Sequence, residues 1–342
     1  MDKRVILAVA GSGKTSLIVD KLSLESRSLI LTYTDNNFKN LKQKIFRKFG
    51  FIPEGIRLMT YFRFLYNFCY KPFLLNEFPA KGICWDPPPA YTTKLRRNNP
   101  RYYMNSGAKL YHNRLAKLLE IMNVQSLLNQ RLEKYFENIF IDEVQDFAGH
   151  DFNLLMNICK ININIILVGD FFQHTFDTSR DGVVNRNLHK DLSVYQSRFT
   201  KVKIKIDSQT LSHSYRCSPT LCDFVTEKVG IPISSHREDE TKICLIEDMS
   251  IMEEKFHCNN TVKLFYQSHN KYSCYSQNWG ASKGEDHYHD VCIVLNKNSY
   301  DLFKLGELHK LNPQTRNKLY VACTRARGDL YLASDQLLKS YR

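Results

Sequence analysis

The sequence predicts an α/β protein built from two parallel-sheet lobes, and three of its features support this fold class. Apolar runs typical of buried strands alternate with amphipathic helices, an order that favours a parallel sheet. Three of these runs end on a glycine-containing or acidic segment, and parallel sheets bring such segments together at their carboxyl edge. The chain has 342 residues, more than most single domains, so we expect two lobes, residues 1–200 and 201–342.

The first predicted lobe shows the alternation most clearly. Its helix at residues 36–49 carries Phe38, Leu41, Ile45 and Phe46 at helical spacing, with lysines between them. We predict strands at residues 4–9, 28–33, 138–141 and 161–168, and helices at residues 16–21, 36–49 and 110–128. The stretch at about residues 64–130 is expected to be an insertion. Its prolines at 87–89 and its basic residues Lys94, Arg96, Arg97 and Arg101 favour a surface segment.

The second predicted lobe begins where the apolar rhythm weakens near residue 200. Residues 201–207 alternate between lysine and apolar side chains and are expected to form a half-exposed strand. Helices are predicted at residues 218–229 and 317–325, and strands at residues 291–295 and 329–333. These elements fit a second α/β lobe.

Composition limits the class of partner. The formal net charge of +13 favours a polyanion such as nucleic acid, because lysine and arginine displace counterions from phosphates. The ten cysteines include no Cys-x-x-Cys pair, so we expect reduced thiols rather than a zinc site. No apolar run is long enough to span a bilayer, so we expect no membrane partner and a cytoplasmic location.

A glycine-containing loop between the first strand and the first helix predicts phosphate binding. Its residues are Ala10, Gly11, Ser12, Gly13, Lys14, Thr15 and Ser16. Glycines let backbone N–H groups converge on phosphate oxygens, lysine neutralises the β- and γ-phosphates, and threonine offers a hydroxyl to Mg²⁺. The strict pattern has glycine where this chain has Ala8. The alternative is a glycine turn with an incidental lysine.

Two later strands end on polar residues that belong with this loop. Asp142 and Glu143 follow the strand at 138–141, and Gln173 follows the strand at 161–168. We expect Asp142 to bind Mg²⁺, Glu143 to polarise the attacking water and Gln173 to contact the γ-phosphate. A solvated acidic loop is the alternative for the carboxylates.

Two cationic segments supply candidates for an arginine finger. Arg216 lies in Ser-Tyr-Arg-Cys, and Arg325 lies in Cys-Thr-Arg-Ala. An arginine that reaches the γ-phosphate stabilises the charge of the transition state. Either segment alone is more typical of a solvated surface arginine.

In this order, the segments resemble the motifs of the UvrD, Rep and PcrA group of superfamily one DNA helicases. The phosphate loop is similar to motif I, residues 31–36 to motif Ia and residues 60–62 to motif Ib. Residues 142–146 are similar to motif II, 169–173 to motif III, 215–216 to motif IV, 282–284 to motif V and 321–327 to motif VI.

This resemblance implies two RecA-like lobes with the ATP site in the cleft between them. It implies that Lys14, Asp142, Glu143, Gln173, Arg216 and Arg325 carry out hydrolysis, that Thr15 and Asp142 hold Mg²⁺, and that Tyr215 stacks on adenine. It also implies a single-stranded DNA site, with RNA as a further possibility, formed by Tyr33, Thr34, Tyr61, Phe62, Phe176 and Ser282. Core packing is an equally good interpretation of Tyr61 and Phe62.

The sequence departs from the group in two ways. No glutamine motif precedes the phosphate loop, which leaves nucleotide selectivity open, and residues 218–282 are too short for the large second-lobe insertion. We therefore expect an ATP-dependent translocase for DNA processing, repair or antiviral defence, moving 3′ to 5′ and unwinding duplex poorly. The alternative is an ATP-switched subunit of a nuclease complex that does not move continuously.

Overall fold

The structure, a computed structural model, describes residues 1–175 and 181–341. Two compact units are formed, and each contains separate stretches of the chain. The first unit comprises residues 1–6, 15–169 and 181–207. The second unit comprises residues 7–14, 170–175 and 208–341. The phosphate loop up to Lys14 thus belongs to the same unit as the residues of the carboxyl-terminal part.

The first unit is organised around a six-stranded sheet. Its strands and those of a small neighbouring sheet are β1 (Lys3–Leu7), β2 (Ser28–Thr32), β3 (Ile56–Thr60), β4 (Gly82–Cys84), β5 (Lys109–Tyr111), β6 (Asn138–Asp142), β7 (Asn164–Gly169) and β8 (Lys205–Asp207). The main sheet has the order β3-β2-β6-β7-β1-β8, and its β2–β3, β2–β6, β6–β7 and β1–β8 pairings are parallel. All five residues of β2 are buried, as expected for a strand covered on both faces.

Helices connect these strands. They are α1 (Lys14–Asp20), α2 (Asp35–Phe49), α3 (Tyr61–Arg63), α4 (Lys71–Leu74), α5 (Pro100–Tyr103), α6 (Leu115–Ile121), α7 (Gln125–Tyr135), α8 (Gly149–Ile158) and α9 (Leu192–Thr200). A π-helical segment, Phe64–Tyr70, lies between α3 and α4. The α2 helix shows how the sequence sets its ends. The Thr34 side chain accepts a hydrogen bond from the Asn37 amide, and Gly50 ends the helix with a φ of 79°.

The second unit has its own five-stranded parallel sheet. The strands of this sheet are β11 (Ile243–Ile246), β12 (Thr261–Phe265), β13 (Ser276–Asn278), β14 (Asp290–Leu295) and β15 (Leu330–Ser334), and the unit also contains the short strands β9 (His213–Ser214) and β10 (Ser234–Ser235). Its helices are α10 (Pro219–Phe224), α11 (Met249–His257), α12 (Lys297–Lys304) and α13 (Pro313–Cys323). The sheet order is β11-β15-β14-β12-β13, and β9 and β10 pair separately. Trp279 and Tyr320 are fully buried in its core. The predicted α/β class with parallel sheets is therefore confirmed.

The clearest differences between predicted and observed elements are the following three. The helix expected at 110–128 is divided into β5, α6 and α7, with a break at Asn123, whose φ of 55° lies in the left-handed region that asparagine tolerates. The strand expected at 201–207 is only β8, and it pairs with β1 in the first unit's sheet. The last helix starts earlier than predicted, at Pro313, because Asn312 caps it.

No helix in the described ranges is both long enough and apolar enough to cross a membrane.

Candidate nucleotide-binding site

The phosphate loop connects β1 to α1 in a conformation that requires its glycines. Gly11 and Gly13 have φ values of 71° and 89°, in the left-handed region where side chains with a Cβ are disfavoured. The Ser12 hydroxyl donates to the Val9 carbonyl at 2.8 Å and so closes the turn. Lys14 follows directly as the first residue of α1. The local geometry is that of a loop whose backbone turns tightly at the start of a helix.

Gly11 is also required because another part of the second unit lies against it. A Cβ placed on Gly11 would lie 2.6 Å from the Arg216 Cβ and 2.8 Å from the Ser214 Oγ. The Gly11 carbonyl accepts a hydrogen bond from the Tyr215 amide at 3.0 Å. The segment 214–216 therefore contacts the phosphate loop through its backbone, as well as through side chains.

A chain of hydrogen bonds within the second unit connects two predicted motifs, I and III, through Tyr320. The Ala10 amide donates to the Tyr320 hydroxyl at 3.0 Å, and that hydroxyl donates to Asp170 Oδ2 at 2.9 Å. Asp170 Oδ1 accepts from the Phe172 amide at 3.1 Å. Burial raises the pKa of Tyr320 well above its ordinary value, so the phenol keeps the proton that it donates. Sequence reasoning missed Tyr320, although it directly precedes the motif VI segment.

Arg216 and Arg325 form a cationic pair in the second unit. The Arg216 guanidinium bonds to Asp286 at 2.7 Å and to the Thr324 carbonyl at 3.1 Å. Arg325 is 2% exposed and donates to the carbonyls of Val321 and Glu285 at 3.1 and 2.9 Å. Burial, followed by repulsion from Arg216, lowers the pKa of Arg325 to about 9. Two cations held close together with partial desolvation favour the binding of an anion.

Asp286 is the carboxylate that pairs with both Arg216 and Arg327. Burial alone would raise the pKa of the Asp286 carboxyl, but Arg216 and Arg327 lower it overall. The side chain of Asp286 is 60% exposed, so this ion pair is accessible to solvent and screened by it. An anion with more charge can therefore compete for Arg216.

Tyr215 presents an aromatic ring beside the loop. Its side chain is 62% exposed, and one face stacks on His236 with a centroid distance of 4.1 Å and an interplanar angle of 14°. A Cβ on Gly13 would lie 4.0 Å from the Tyr215 ring. The ring is thus supported on one side and close to the loop, a geometry suited to a flat ligand group. His236 was not among the predicted residues.

In the first unit, the carboxylates at the end of β6 are tightly packed. Asp142 and Glu143 are 1% and 8% exposed, and Glu143 has a φ of 57°, which is unusual for a residue other than glycine. The Gln145 side-chain amide donates to the Glu143 carboxylate. A Cβ on Gly169, at the end of β7, would lie 2.2 Å from Gln145 Oε1. The glycine therefore leaves the space that Gln145 occupies, and Gln145 positions Glu143.

The available donors fit a magnesium ion that arrives with a nucleotide. Among the described residues, no group of three or more His, Cys, Asp and Glu side chains could hold a metal ion by itself. Thr15 and Asp142, both in the first unit, offer a hydroxyl and a carboxylate. Mg²⁺ commonly uses one or two carboxylates together with substrate phosphates, so these two residues suit such an ion.

Ser16 and Gln173 are the remaining residues predicted for the nucleotide site. Ser16 is exposed on α1, where its hydroxyl accepts a hydrogen bond from Lys44 at 2.9 Å. Gln173 is 3% exposed in a short turn after β7, and its backbone N–H donates to the Asp170 carbonyl at 2.9 Å. The two residues after Gln173 are bonded to α13 within the second unit. Asn317 donates to the His174 carbonyl and Gln314 to the Thr175 carbonyl.

The residues predicted to bind single-stranded DNA do not share one exposed surface. Tyr61, Phe62 and Ser282 are 1%, 8% and 0% exposed, so the stacking role of the two aromatic rings and the contact predicted for Ser282 are not supported. The ring centroid of Tyr61 lies 4.7 Å from that of Phe147 and 5.7 Å from that of Tyr33. The Ser282 hydroxyl donates to the Trp279 carbonyl. Thr34 is exposed but caps α2. Phe176 lies outside the described residues.

The parallel sheets and the glycine loop at the end of β1 define a P-loop nucleotide-binding protein. A family comparison then matches residues 103–334 to the viral superfamily 1 RNA helicase core domain. That stretch is more than half of the chain, and the chain belongs to this family. This membership gives the chain a superfamily 1 helicase core. The matched stretch contains Asp142, Glu143, Arg216 and Arg325, whereas the phosphate loop precedes it.

Solved structures were also found to be similar to the chain. The structure of the PRRSV helicase has 16% identity and a TM-score of 0.49, over 97% of this chain and 52% of that one. Arterivirus nonstructural protein 10, a helicase, has 15% identity and a TM-score of 0.48, both alone and in complex with DNA, over 62% of its length. The chain thus spans about half to three fifths of these proteins. No curated protein was found to match.

The predicted helicase class is confirmed by the family match. The narrower assignment to the UvrD, Rep and PcrA group is not confirmed, because the family that matches is a viral one within the same superfamily. Of the motifs that carried the resemblance, the phosphate loop is a general feature of nucleotide binding, so it does not distinguish one group of this superfamily from another.

Proposed function

We propose that the chain is the ATP-hydrolysing motor core of a helicase that moves on single-stranded nucleic acid. The observation that carries this proposal is the close approach of Gly11 to Ser214 and Arg216. It joins a loop suited to phosphate with an arginine suited to the γ-phosphate in one compact unit. A phosphate loop without such an arginine would support binding of a nucleotide but only much slower hydrolysis.

Each proposed role follows from chemistry that the residue can supply. Lys14 neutralises phosphate charge, and residues 10–16 bind the phosphates through the loop. Glu143, oriented by Gln145, accepts a proton from the attacking water, while Gln173, Arg216 and Arg325 stabilise the γ-phosphate. Mg²⁺, held by Thr15 and Asp142, would supply further charge neutralisation. Tyr215, supported by His236, stacks on the nucleobase. Its exposed ring can stack on any base, so the selectivity for adenine has to be measured.

The decisive test is the rate of ATP hydrolysis by the purified chain with and without single-stranded nucleic acid. We expect stimulation by homopolymeric DNA or RNA strands, and comparison of the two polymers determines which is preferred. A Glu143→Gln variant should bind ATP but lose turnover. Absence of hydrolysis under all conditions would contradict the motor. Hydrolysis that responds only to a partner nuclease, and not to bare strands, would support the ATP-switched subunit instead.

Movement and strand separation require separate measurements. A 3′ to 5′ direction follows only from the resemblance to the UvrD, Rep and PcrA group, so substrates with a single 3′ or 5′ tail determine it. We propose that the chain by itself separates duplex poorly, because each base-pair step costs about 1.4 kcal/mol and residues 218–282 include no large insertion to grip the junction. Efficient single-turnover unwinding by monomer would contradict this part of the proposal.

A further inference from the structure

The first unit exposes one tryptophan on a well-supported aromatic surface. Trp85 is 60% exposed and follows β4 directly, while His112 follows the neighbouring strand β5. The register pairs Cys84 with Tyr111, so Trp85 and His112 emerge side by side at the ends of two parallel strands. Their ring centroids are 5.7 Å apart with an interplanar angle of 31°.

Phe62 supports both rings from below. Its ring makes an edge contact with Trp85 at 4.9 Å and with His112 at 5.7 Å. Phe62 is itself 8% exposed and contacts Tyr61 and Tyr33 in the first unit's core. A buried aromatic cluster thus extends to the surface at Trp85. The ring is oriented by packing before any ligand arrives, which lowers the entropic cost of stacking.

The chain around Trp85 is strongly basic. We refer to residues 81–112 as the basic segment. It contains six lysines and arginines, Lys81, Lys94, Arg96, Arg97, Arg101 and Lys109, and all six are exposed, against the single carboxylate of Asp86. A second exposed aromatic residue, Tyr91, also lies in this segment. Exposed aromatic rings among cations are typical of surfaces that bind single strands, because rings stack on bases while cations contact phosphates.

A buried ionic network fixes the basic segment to the first unit. Arg114 is 2% exposed and donates to the Thr92 hydroxyl at 2.9 Å and to the Tyr102 carbonyl at 2.6 Å. Arg114 and Lys117 both bond to Asp181, at 3.1 and 2.6 Å. Burial, then a hydrogen bond to Asp181, raises the pKa of Tyr102 to about 12. The segment is therefore anchored at two points, which suits a rigid binding surface rather than a loose loop.

We propose that Trp85, flanked by His112 and supported by Phe62, is a stacking site for a base of single-stranded nucleic acid, with the basic segment binding its phosphates. This inference rests on the proposed function and names a site that the motifs do not include. It also gives Phe62 a positioning role, since its buried ring orients Trp85 and does not touch the strand.

The first experiment compares binding of a labelled oligonucleotide of about 12 nucleotides by three variants. Trp85→Ala should weaken binding by about five- to 150-fold, the range expected for loss of one stacked base, and Trp85→Phe should recover part of the loss. The control is Phe51→Ala, since Phe51 is similarly exposed at 53% and lies in the first unit outside the basic segment. It should bind like the wild type. Thymidine and uridine oligomers serve as the DNA and RNA arms.

The second experiment uses the wild-type protein and therefore does not depend on a variant's stability. The chain has two tryptophans, and Trp279 is fully buried with its indole N–H bonded to the Leu264 carbonyl. Quenching by acrylamide should thus report mainly on Trp85. A saturating oligonucleotide should lower both the emission and its accessibility to acrylamide. Unchanged accessibility with the oligonucleotide bound would overturn the proposal and leave this surface for a protein partner.

The outcomes distinguish this inference from the proposed function. If Trp85→Ala binds the oligonucleotide as tightly as the wild type, and strands still stimulate ATP hydrolysis, the stacking site is wrong while the motor stands. If the wild type neither binds strands nor responds to them, both are wrong.

Discussion

The phosphate loop and the motif Ib region were both predicted from short sequence motifs, but their residues differ in their contacts and in their exposure to solvent. Around the loop, Gly11, Tyr215 and Arg216 lie within contact distance of one another in the second unit. In motif Ib, Tyr61 and Phe62 are buried, and the exposed ring belongs to Trp85, which no motif marked. Phosphate binding depends on backbone shape and charge at fixed spacing, whereas base stacking depends only on which ring reaches the surface.

The largest effect is expected at the phosphate loop. Lys14→Ala should abolish ATP hydrolysis and weaken ATP binding, because the loop would lose its fixed cation beside the phosphates. Phosphate release and nucleotide titration measure the two effects. Lys21→Ala, which removes an exposed lysine just after α1, is the matched control and should retain activity. Normal turnover by Lys14→Ala would show that the loop is an incidental glycine turn.

A smaller but still large effect is expected at the arginine pair. Arg216→Ala and Arg325→Ala should each bind nucleotide but lose at least about a hundredfold in kcat. Arg327→Ala is the matched control, because Arg327 shares Asp286 with Arg216 but is 45% exposed. If Arg216→Ala and Arg327→Ala lose the same activity, the effect of Arg216 comes from its ion pair with Asp286 rather than from contact with phosphate.

The pH dependence sharpens the role of Arg325. Its pKa of about 9 predicts that kcat is constant below pH 9 and falls about tenfold per pH unit above it, since the neutral side chain cannot stabilise phosphate. Arg325→Lys should move the fall to lower pH, because lysine has a lower ordinary pKa and the same burial lowers it further. A profile identical in both proteins would assign the fall to another group.

Deprotonation of Arg325 is expected to affect stability in the opposite direction to kcat. Because the folded pKa of Arg325 lies below its ordinary value, the unfolded chain binds this proton more tightly between the two values. The contribution of Arg325 to the free energy of unfolding therefore rises as pH increases through 9. Loss of activity there, with no lower melting temperature, would point to the site and not to unfolding.

A moderate effect on stability is expected from Tyr320→Phe. The change removes the buried hydroxyl that bonds to both Asp170 and the Ala10 amide, at a cost of about 1–3 kcal/mol. Tyr66→Phe, which removes one hydrogen bond to the Ala80 carbonyl in the first unit, is the control and should cost less. Thermal melts measure both. Equal losses of stability would mean that the hydrogen bonds of Tyr320 stabilise the fold no more than the single bond of Tyr66.

The smallest effect is expected at Ser282, a motif V residue that was predicted to contact single-stranded DNA but is buried. Ser282→Ala should change the affinity for single strands by no more than about twofold, the range of substitutions away from a contact surface. Its hydroxyl is buried and bonded to the Trp279 carbonyl. Binding that weakens by an order of magnitude, with an unchanged melting temperature, would restore the contact predicted from motif V.

Sequence patterns were informative wherever local chemistry decides the structure. The strands β2, β6, β7, β14 and β15 were predicted within one to three residues of their observed bounds, because buried parallel strands are continuous apolar runs. The break at Asn123 was not predictable, since most residues around it favour helix. The strands β11 to β13 were missed because they are short or mixed in polarity.

The site shows the same division. The loop and the acidic strand ends were found from spacing, while Tyr320, Gln145 and His236 were missed because each acts through a contact with a residue distant in sequence or through a tight local turn. Lys-Leu-Tyr-Val in α13 reads as an ordinary helix. Only the folded chain shows that its tyrosine bonds to the phosphate loop.

The bond from Ala10 to Tyr320 has a consequence for hydrogen exchange. The Ala10 amide is fully buried and already engaged, so it should exchange slowly with solvent deuterium even in nucleotide-free protein, and added ATP should change its rate little. Within the loop of residues 10–16, the phosphates would then be bound by the amides that follow Ala10, and Ala10 would contribute to the shape of the loop through its bond to Tyr320. The protection of Ala10 thus follows the packing of α13 against the loop, and its loss in Tyr320→Phe would mark the opening of that contact.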